Sequence, residues 1–268
     1  MKKIILSIAF IFSLLGVFIA LFGYYTGGLD SIKTKVKTTS HKYTKTLDTI
    51  DSVNISGDCS LVITSGHVTK PKLTYIKIKG RQTGYYDTNY TFKNHQLNIT
   101  RQLKGENIHI SGSLLDLIRE QMGFNCVITL TLPQNSLLKS ITATNDSELN
   151  LKNLNLNSTT INAQSSFNMT NITLKNSKIT VSDNTVDMKQ STLIRTNINI
   201  KDGDFEGNGL TFKQKNRIIA DSIDISLNDY HLTITHNAED TQDITKRLIN
   251  SEDNSLNVTS KEDDITIR

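Results

Sequence analysis

Hydrophobic and polar residues alternate over most of the chain, which is the pattern of β-strands with one buried face and one exposed face. From residue 139 onward, four stretches of 19 residues follow one another as blurred copies. Their apolar residues fall into columns with a spacing of 18 to 20 residues; the first column is Ile141, Ile161, Ile179, Ile198 and Ile218. A fixed period near 20 with strand alternation inside each unit predicts a β-solenoid, whose turns bury their apolar faces against one another.

A second column shows how tolerant the repeat is. It consists of Leu151, Met169, Met188, Gly207 and Ile225, so Gly207 is the one position without a side chain.

An antiparallel β-sandwich is the alternative fold, because a hairpin also takes about twenty residues. Hairpins usually carry Gly at their turns, whereas residues 139–201 contain neither Gly nor Pro and place Asn, Ser and Asp at the expected corners. We therefore predict an all-β, single-stranded β-solenoid (a β-helix) with about 19 residues per coil.

The N-terminal residues form a different pattern. Lys2 and Lys3 precede a predominantly apolar run over residues 4–25, which as a helix of about 33 Å would cross the bilayer core. A secretory signal has a shorter apolar region and a small-x-small cleavage site, and Phe22 makes a poor one here. We predict an uncleaved transmembrane signal anchor over residues 1–25; a cleaved signal peptide and a buried core helix are the alternatives.

The residues on the two sides of this run favour opposite orientations of the protein in the membrane. Four lysines follow it within about twenty residues, which favours a cytoplasmic body by the positive-inside rule; they are Lys33, Lys35, Lys37 and Lys42. The very short basic N-terminus, which leads directly into the apolar run, has the form of an export signal. We predict a single-pass protein of the cell membrane with an extracellular C-terminal body.

The rest of the chain divides by composition. Residues 26–46 are rich in Thr and Lys and are predicted to be a linker. A β-solenoid domain follows over residues 47–268, with an irregular, basic N-terminal part (47–125), regular coils (126–235) and an acidic C-terminal cap (236–268). Within the first part, residues 113–123 show the three-and-four spacing of a short amphipathic helix. Such a helix would either cover the sheet core or dock a partner.

The segment CVITLTLPQNSLLKSITATNDSELNLKNL resembles the putative-adhesin β-solenoid family of bacterial cell-envelope proteins of the Gram-positive type. Leu132-Pro133 ends a strand as in that family, and Leu138, Ile141 and Leu149 fit the next places of its motif. The resemblance covers roughly residues 47–268. It implies a β-solenoid at the cell surface, tied in some members to envelope-stress signalling, with no catalytic residues to carry over. This chain departs from the family pattern by its membrane anchor, its few turn glycines and the predicted helix.

Charge adds one candidate binding site. The chain has a net charge of +4 and an apolar content of 37%, which suits a thin fold with much surface. Residues 70–104 carry eight Lys or Arg against one Asp. We predict anion binding by Lys77, Lys79 and Arg81 in this region; the alternative is that these residues only solubilise a strand face.

The remaining acidic, histidine and cysteine residues do not predict a metal-binding or catalytic site. Residues 202–207, DGDFEG, match the start of a calcium loop, but the closing position that should be Glu is Lys213. His231 and His236 fall on opposite faces of a strand, which argues against a shared zinc site. No nucleophile elbow or acid–base pair is present. We therefore predict no catalytic residue, no metal and no cofactor. Whether Cys59 pairs with Cys126, the only other thiol, stays open.

These observations together predict a non-catalytic, membrane-anchored cell-surface protein that binds an envelope component or a partner protein, in an adhesin-like or envelope-stress role. The expected partners are the lipid bilayer, through residues 4–25, and an anionic wall polymer or an envelope protein, but not nucleic acid. The alternative function is a carbohydrate-active enzyme built on a β-solenoid.

Overall fold

A computed structural model describes residues 13, 15–17, 39–57, 59–79, 85–104, 127–145, 147–237, 241–242 and 248–268. Within these residues nearly all regular structure is β-strand, and no helix is both long and apolar enough to cross a membrane. The predicted span over residues 4–25 lies almost entirely outside the described residues, as does the predicted helix over residues 113–123.

The strands form one continuous sheet. They are β1 (Thr39–Thr46), β2 (Ser52–Ser56), β3 (Ser60–Gly66), β4 (Lys72–Lys79), β5 (Tyr85–Lys93), β6 (Gln96–Lys104), β7 (Val127–Pro133), β8 (Ser140–Thr144), β9 (Glu148–Asn157), β10 (Thr160–Ala163), β11 (Phe167–Lys175), β12 (Lys178–Asp183), β13 (Val186–Lys189), β14 (Thr192–Ile194), β15 (Asn197–Asp202), β16 (Phe205–Lys213), β17 (Lys215–Leu227), β18 (Thr233–His236), β19 (Thr241–Gln242) and β20 (Ser255–Ile267).

The chain winds so that strands of successive turns pair in parallel on three faces. Face A contains β6, β2, β8, β10, β12, β15, the first half of β17 and the first half of β20. Face B contains β7, β3, the first halves of β9 and β11, β13, the first half of β16 and the second halves of β17 and β20. Face C is shorter and contains the second halves of β9, β11 and β16 together with β14.

The apolar columns line the interior between these faces. Ile161 lies between Ile141 and Ile179, Ile198 lies between Ile179 and Ile218, and all five side chains are at most 1% exposed. The predicted all-β, solenoid-like fold is confirmed. The antiparallel sandwich is wrong, because the described strands from β8 to β17 pair with one another only in parallel.

The missing side chain of Gly207 leaves no cavity in the interior. A Cβ atom at this position would lie 2.5 Å from Cδ1 of Leu210, so the Leu210 side chain already fills the space that the missing side chain leaves. Leu210 is fully buried. The interior therefore keeps its packing where the repeat has a gap.

Most corners between faces are made by non-glycine residues with left-handed backbone angles, and Gly57, Gly203 and Gly209 also have positive φ at corners. Asn153, Asn171 and Gln190 stack at the corner between faces B and C with φ of 54°, 55° and 48°. The Asn171 amide donates to the Asn153 side-chain oxygen at 2.9 Å, which ties two turns together. Asn tolerates this conformation better than most residues, and this tolerance explains how the repeat turns without glycine.

One end of the solenoid is antiparallel. β4 pairs with β7 and with β1, and β5 pairs with β6. The Tyr75 ring stacks on Tyr43 of β1 at 5.6 Å and meets Tyr90 of β5 edge-on at 5.8 Å. β1 occupies the last eight residues of the segment 26–46 that the sequence predicts to be a linker. Because these residues are mostly polar, the sequence pattern did not indicate a strand here; the stacking of Tyr43 on Tyr75 stabilises it.

At the other end the strand order departs from the chain order. β20 pairs with β17 on one side and with β18 and β19 on the other, so it lies inside the sheet. Leu256, Val258, Ile265 and Ile267 of β20 are at most 2% exposed. β20 belongs to the segment predicted to be an acidic cap, residues 236–268, and its acidic residues separate two short apolar alternations that are buried.

Candidate anion-binding surface

A group of cations lies along the corner between face C and face A. It comes from three successive turns, and every member is exposed. We call it the basic ridge; its members are Lys175, Lys178, Arg195, Lys213, Lys215 and Arg217.

The register of the strands brings these residues together. Lys175 and Lys213 both pair with Ile194, on the last positions of the face C strands. Lys178 and Arg217 both pair with Asn197, on the first positions of the face A strands. Neighbouring strands lie about 4.8 Å apart, so each of these two pairs spans roughly 10 Å along the solenoid axis.

Arg195 occupies the middle turn, at the corner itself. Its backbone is left-handed, with φ of 51°, and its amide donates to the Lys213 carbonyl at 3.4 Å. One turn earlier, Asn176 has the same conformation and donates its amide to the Ile194 carbonyl at 2.9 Å. These bonds stack the corners, so the cations lie at fixed steps along the corner.

A buried polar column lies beneath the ridge; it consists of Thr159, Ser177, Thr196 and Asn216. The Ser177 hydroxyl donates to the Lys175 carbonyl at 2.9 Å, and the Asn216 amide donates to the Lys213 carbonyl at 2.9 Å. The Asn216 side-chain oxygen accepts the Thr196 amide at 3.0 Å. Buried polar groups need such partners, and here the partners are the backbone groups that carry the cations.

The ridge itself contains no acid: its three corner segments, residues 171–180, 192–199 and 211–219, carry no Asp or Glu. Acids flank one end of it, where Asp229 attracts Lys213 and the exposed Glu252 and Asp253 precede Asn254. Among the described residues, ion pairs join other side chains: Lys70–Asp48, Lys139–Asp51, Lys189–Asp187, His231–Asp229, Lys261–Asp221 and Arg268–Asp224. Six like charges within two strand steps repel one another, and an anion from outside would relieve that repulsion.

The acidic column on face B is different, because cations of the same chain already compensate it. Asp187, Glu206 and Asp224 stand opposite one another on adjacent strands. Lys189 lies 2.6 Å from Asp187, and Arg268 lies 3.1 Å from Asp224. The hydrogen bond that Lys189 donates to Asp187 raises the pKa of Lys189. Of these two charged surfaces, the ridge therefore carries the larger uncompensated charge.

Residues 202–207, which match the start of a calcium loop, have another role in the structure. Asp204 accepts hydrogen bonds from the Ser222 amide at 3.2 Å and from its hydroxyl at 2.7 Å. Beside it, the Lys261 ammonium donates to the Ile200 carbonyl at 3.1 Å, to Asp221 at 2.8 Å and to the Lys201 carbonyl. An ammonium of the chain thus occupies this set of oxygens. In the described part of the chain, no three His, Cys, Asp or Glu side chains are grouped to hold a metal ion.

The Asp221 carboxylate gives a pH prediction. The hydrogen bond from Lys261 lowers its pKa most, and the bond from the Gly203 amide at 2.6 Å lowers it further. A carboxylate with a lowered folded-state pKa stabilises the fold above its unfolded pKa of about 3.9 and loses that effect as pH falls through the folded value. We expect Asp221→Asn to reduce the melting temperature by about 2–4 °C at pH 7, and we expect this difference to shrink below about pH 4.

Thermal melts of both proteins between pH 7 and pH 2 test this prediction. Asp202→Asn, a change at an exposed carboxylate nearby, is the matched control and should leave the melting temperature unchanged throughout. A difference for Asp221→Asn that stays constant down to pH 2 would contradict the prediction.

The structure only partly describes the site predicted from sequence. Lys77 and Lys79 lie on β4, where their backbones pair with His41 and Thr39. Their side chains and the whole of Arg81 lie outside the described residues, so anion binding there stays a prediction. Sequence reasoning missed the basic ridge, because its cations are separated by whole turns. Arranging the charges by the same register as the apolar columns would have found it.

The question of the two cysteines also stays open. Cys59 is buried at the corner between faces A and B, and its thiol donates to the Gly57 carbonyl at 3.3 Å. Cys126 lies outside the described residues.

Comparisons with known proteins concern the fold. The sequence model of the Toastrack DUF4097 family matches residues 53–268, and none of the curated proteins matches the chain. A "putative adhesin" from Bacteroides fragilis shares 10% identity over 85% of this chain and 96% of its own, with a TM-score of 0.38. A "putative lipid binding protein" from Parabacteroides distasonis shares 11% over 87% and 98%, with a TM-score of 0.41. A "putative cell adhesion protein" from Clostridium sporogenes shares 11% over 85% and 95%, with a TM-score of 0.29.

Proposed function

This chain belongs to the Toastrack DUF4097 family, and from that premise we propose that it is a non-catalytic binding protein of the bacterial cell surface. Its ligand is an anionic component of the cell envelope, held on the basic ridge. The observation that carries this proposal is the cluster of six exposed cations, on three stacked corner segments that contain no acid. The solenoid, with coils of about nineteen residues, acts as a rigid support for these charges.

The second part of the proposal concerns location. Residues 4–25 anchor the protein in the cell membrane, and the body lies outside the cell, where anionic wall polymers and lipid head groups are abundant. The long apolar run and its short basic N-terminus support this topology. Because β1 begins at Thr39, the tether between membrane and body is confined to residues 26–38.

Protease treatment of intact cells tests the topology. After removal of the cell wall, added protease should digest the body and leave a membrane-embedded fragment that contains residues 4–25. A cytoplasmic control protein expressed in the same cells should stay undigested, and its digestion would show that the cells leak. A body that resists protease until the cells are lysed would reverse the proposed orientation.

Binding to wall polymer tests the ligand class and the position of the site. Full-length protein should retain anionic wall polymer at 0.1 M salt and lose most of it at 1 M salt, because the Debye length falls from about 10 Å to about 3 Å. Changing Lys178, Arg195, Lys213 and Arg217 together to Ser should reproduce the loss at low salt. The polymer should be recovered at its original length, since no turnover is expected.

A matched variant separates the two candidate sites. Changing Lys77, Lys79 and Arg81 to Ser removes the cations predicted from sequence and leaves the ridge intact. Retained binding in this variant would place the ligand on the ridge, and loss of binding only in this variant would place it at the site predicted from sequence. Binding that is indifferent to salt and to both variants would overturn the proposed function.

A further inference from the structure

We infer that the ligand of the basic ridge is a linear phosphodiester polymer, which crosses the three turns with Arg195 at the centre of the contact. This inference rests on the proposed function and specifies the chemistry of the same site. It follows from the length of the ridge, from the side chains beside it and from the charges at its two ends.

The length of the ridge calls for a ligand with repeated charges. Its outer turns, which carry Lys178 and Arg217, lie two strand steps apart, or roughly 10 Å. A single phosphate can bridge cations of neighbouring turns, which lie about 4.8 Å apart, but it is too small to engage all six cations of the ridge. An anion that engages all three turns must therefore present successive charges along one chain.

Arg195 is suited to phosphate in the middle of that contact. A guanidinium presents two parallel N–H groups to the oxygens of one phosphate, whereas a lysine ammonium acts as a point charge. Arg195 lies on the middle turn, and its two flanking turns supply lysines: Lys175 and Lys178 on one, Lys213 and Lys215 on the other. A chain of phosphodiesters would place one phosphate on the fork and its neighbours on the ammonium groups.

The outward strand positions of faces A and C beside the ridge carry no aromatic side chain. On face C the outward column next to it is Asn155, Thr173, Thr192 and Thr211. On face A the neighbours are Asn197, Asn199 and Thr180. Proteins bind bases and sugar rings largely through exposed aromatic side chains, and none lies among these residues. Recognition by charge and hydrogen bonds favours a phosphodiester backbone with simple spacers over a polymer of acidic sugar rings.

The charges at the two ends of the ridge limit the contact to its three turns. On one side the next turn presents Asn157 and Thr160, which are neutral. On the other side the corner continues through Asn254, whose side chain accepts the Gln214 amide at 2.9 Å, and the two preceding residues are the exposed acids Glu252 and Asp253. These acids repel a polyanion that would extend further along the axis, which limits the contact to about three phosphates.

A second copy of the protein is a weaker fit for the ridge. The acidic column that it would offer is already paired with Lys189 and Arg268. Breaking those pairs would offset part of the new attraction. A phosphodiester chain brings charges that have no competing partner in the protein.

Full-length protein in detergent micelles can test the inference with four probes: poly(glycerol phosphate), polygalacturonate with the same number of charges, inorganic phosphate and phosphatidylglycerol vesicles. We expect poly(glycerol phosphate) to bind about tenfold more tightly than polygalacturonate, because the outward positions of faces A and C offer no aromatic side chain to sugar rings. The arginine fork itself accepts phosphate and carboxylate alike. The affinity for poly(glycerol phosphate) should fall with salt at a log–log slope of about −2, the value for roughly three neutralised phosphates at about 0.7 each.

Substitutions of Arg195 test the centre of the contact more directly than the comparison of probes, because they change both the affinity and the salt slope. Arg195→Gln should weaken poly(glycerol phosphate) binding about five- to tenfold and reduce the salt slope by about 0.7. Arg195→Lys should keep the slope and lose about two- to threefold in affinity, since the charge stays and the fork is lost. Lys152→Gln removes an exposed cation from face B and should change neither quantity.

The outcomes separate this inference from the proposed function. Equal affinity for the phosphate and carboxylate polymers, with both lost in the fourfold ridge variant, would overturn the phosphodiester inference and leave the proposed function standing. Inorganic phosphate that competes at equal phosphate concentration would overturn the extended contact. Tighter binding to the vesicles than to the polymer would identify a lipid head group instead. If every probe binds the ridge variants as tightly as the unmodified protein, both the phosphodiester inference and the proposed function are overturned.

Discussion

Replacing Ile179 with Lys should lower the free energy of unfolding by several kcal/mol, because it places a charge where no polar partner is available. The Ile179 side chain is fully buried and packs between Ile161 and Ile198 of the adjacent turns. Removal of the apolar side chain alone would also cost stability, since each turn depends on its neighbours to bury its face. Thermal and denaturant melts of a fragment over residues 39–268 measure the effect.

Thr180→Lys is the control for this experiment. Thr180 is the next residue on the same strand and points to the outer surface of face A, where it is only half-buried. The same new charge can therefore reach water, and the melting temperature should hardly change. Equal destabilisation by the two substitutions would contradict the register of face A.

Deletion of residues 255–268 should have a still larger effect, because it removes β20 from inside the sheet. Leu256, Val258, Ile265 and Ile267 are all buried, and full burial of such side chains contributes about 1.5–3 kcal/mol each. The deletion also leaves β18 and β19 without the strand to which they pair. We expect a melting temperature lower by more than 10 °C, since about 2–4 °C corresponds to each kcal/mol, and we expect new proteolytic cleavage within residues 228–254.

Deletion of residues 39–46 is the matched control. β1 pairs with β4 alone among the described strands, and its side chains from His41 to Thr46 are exposed. Its loss should lower the melting temperature much less than the loss of β20. Comparable losses, or cleavage sites spread evenly over residues 127–227 in the β20 deletion, would show that β20 does not hold its end of the solenoid.

Sequence alone was enough to predict the regular part of the fold. Each turn between β8 and β17 brings apolar residues to equivalent positions, and residues such as Val53 and Leu61 of the first turn continue the same alternation. The corners could also be anticipated, because Asn171 and Asn176 occupy places where the chain must turn without glycine. These features are local, or they repeat at a short interval, and a reader of the sequence can compare them directly.

The two ends of the solenoid could not be predicted in the same way. The position of β1 depends on a contact between Tyr43 and Tyr75, and no periodicity links these residues. β20 carries a normal strand alternation, but nothing local shows that it inserts between β17 and β18. Long-range pairing of this kind is decided by the whole fold, so the acidic residues around β20 suggested a surface cap instead.

The candidate site illustrates the same limit. Lys77, Lys79 and Arg81 drew attention because they are close together in the sequence. Lys178 and Arg217 are far apart in the sequence, yet they stand two strand steps apart in the fold. Proximity in a solenoid is set by position within the turn, and charges have to be compared across turns before a surface can be recognised.

The internal position of β20 also determines the order in which the chain can complete its structure. Turns from β8 to β17 can add to one another in the order in which they leave the ribosome or the export channel, because each pairs with the turn before it. Residues 228–254 cannot follow that order, since their place on the stack exists only after residues 255–267 have paired with β17. They must wait as an open loop, and such late, long-range strand pairing is slow and exposes strand edges to aggregation. An exported form of this protein would therefore be most vulnerable to proteases during the interval between the arrival of β18 and the arrival of β20.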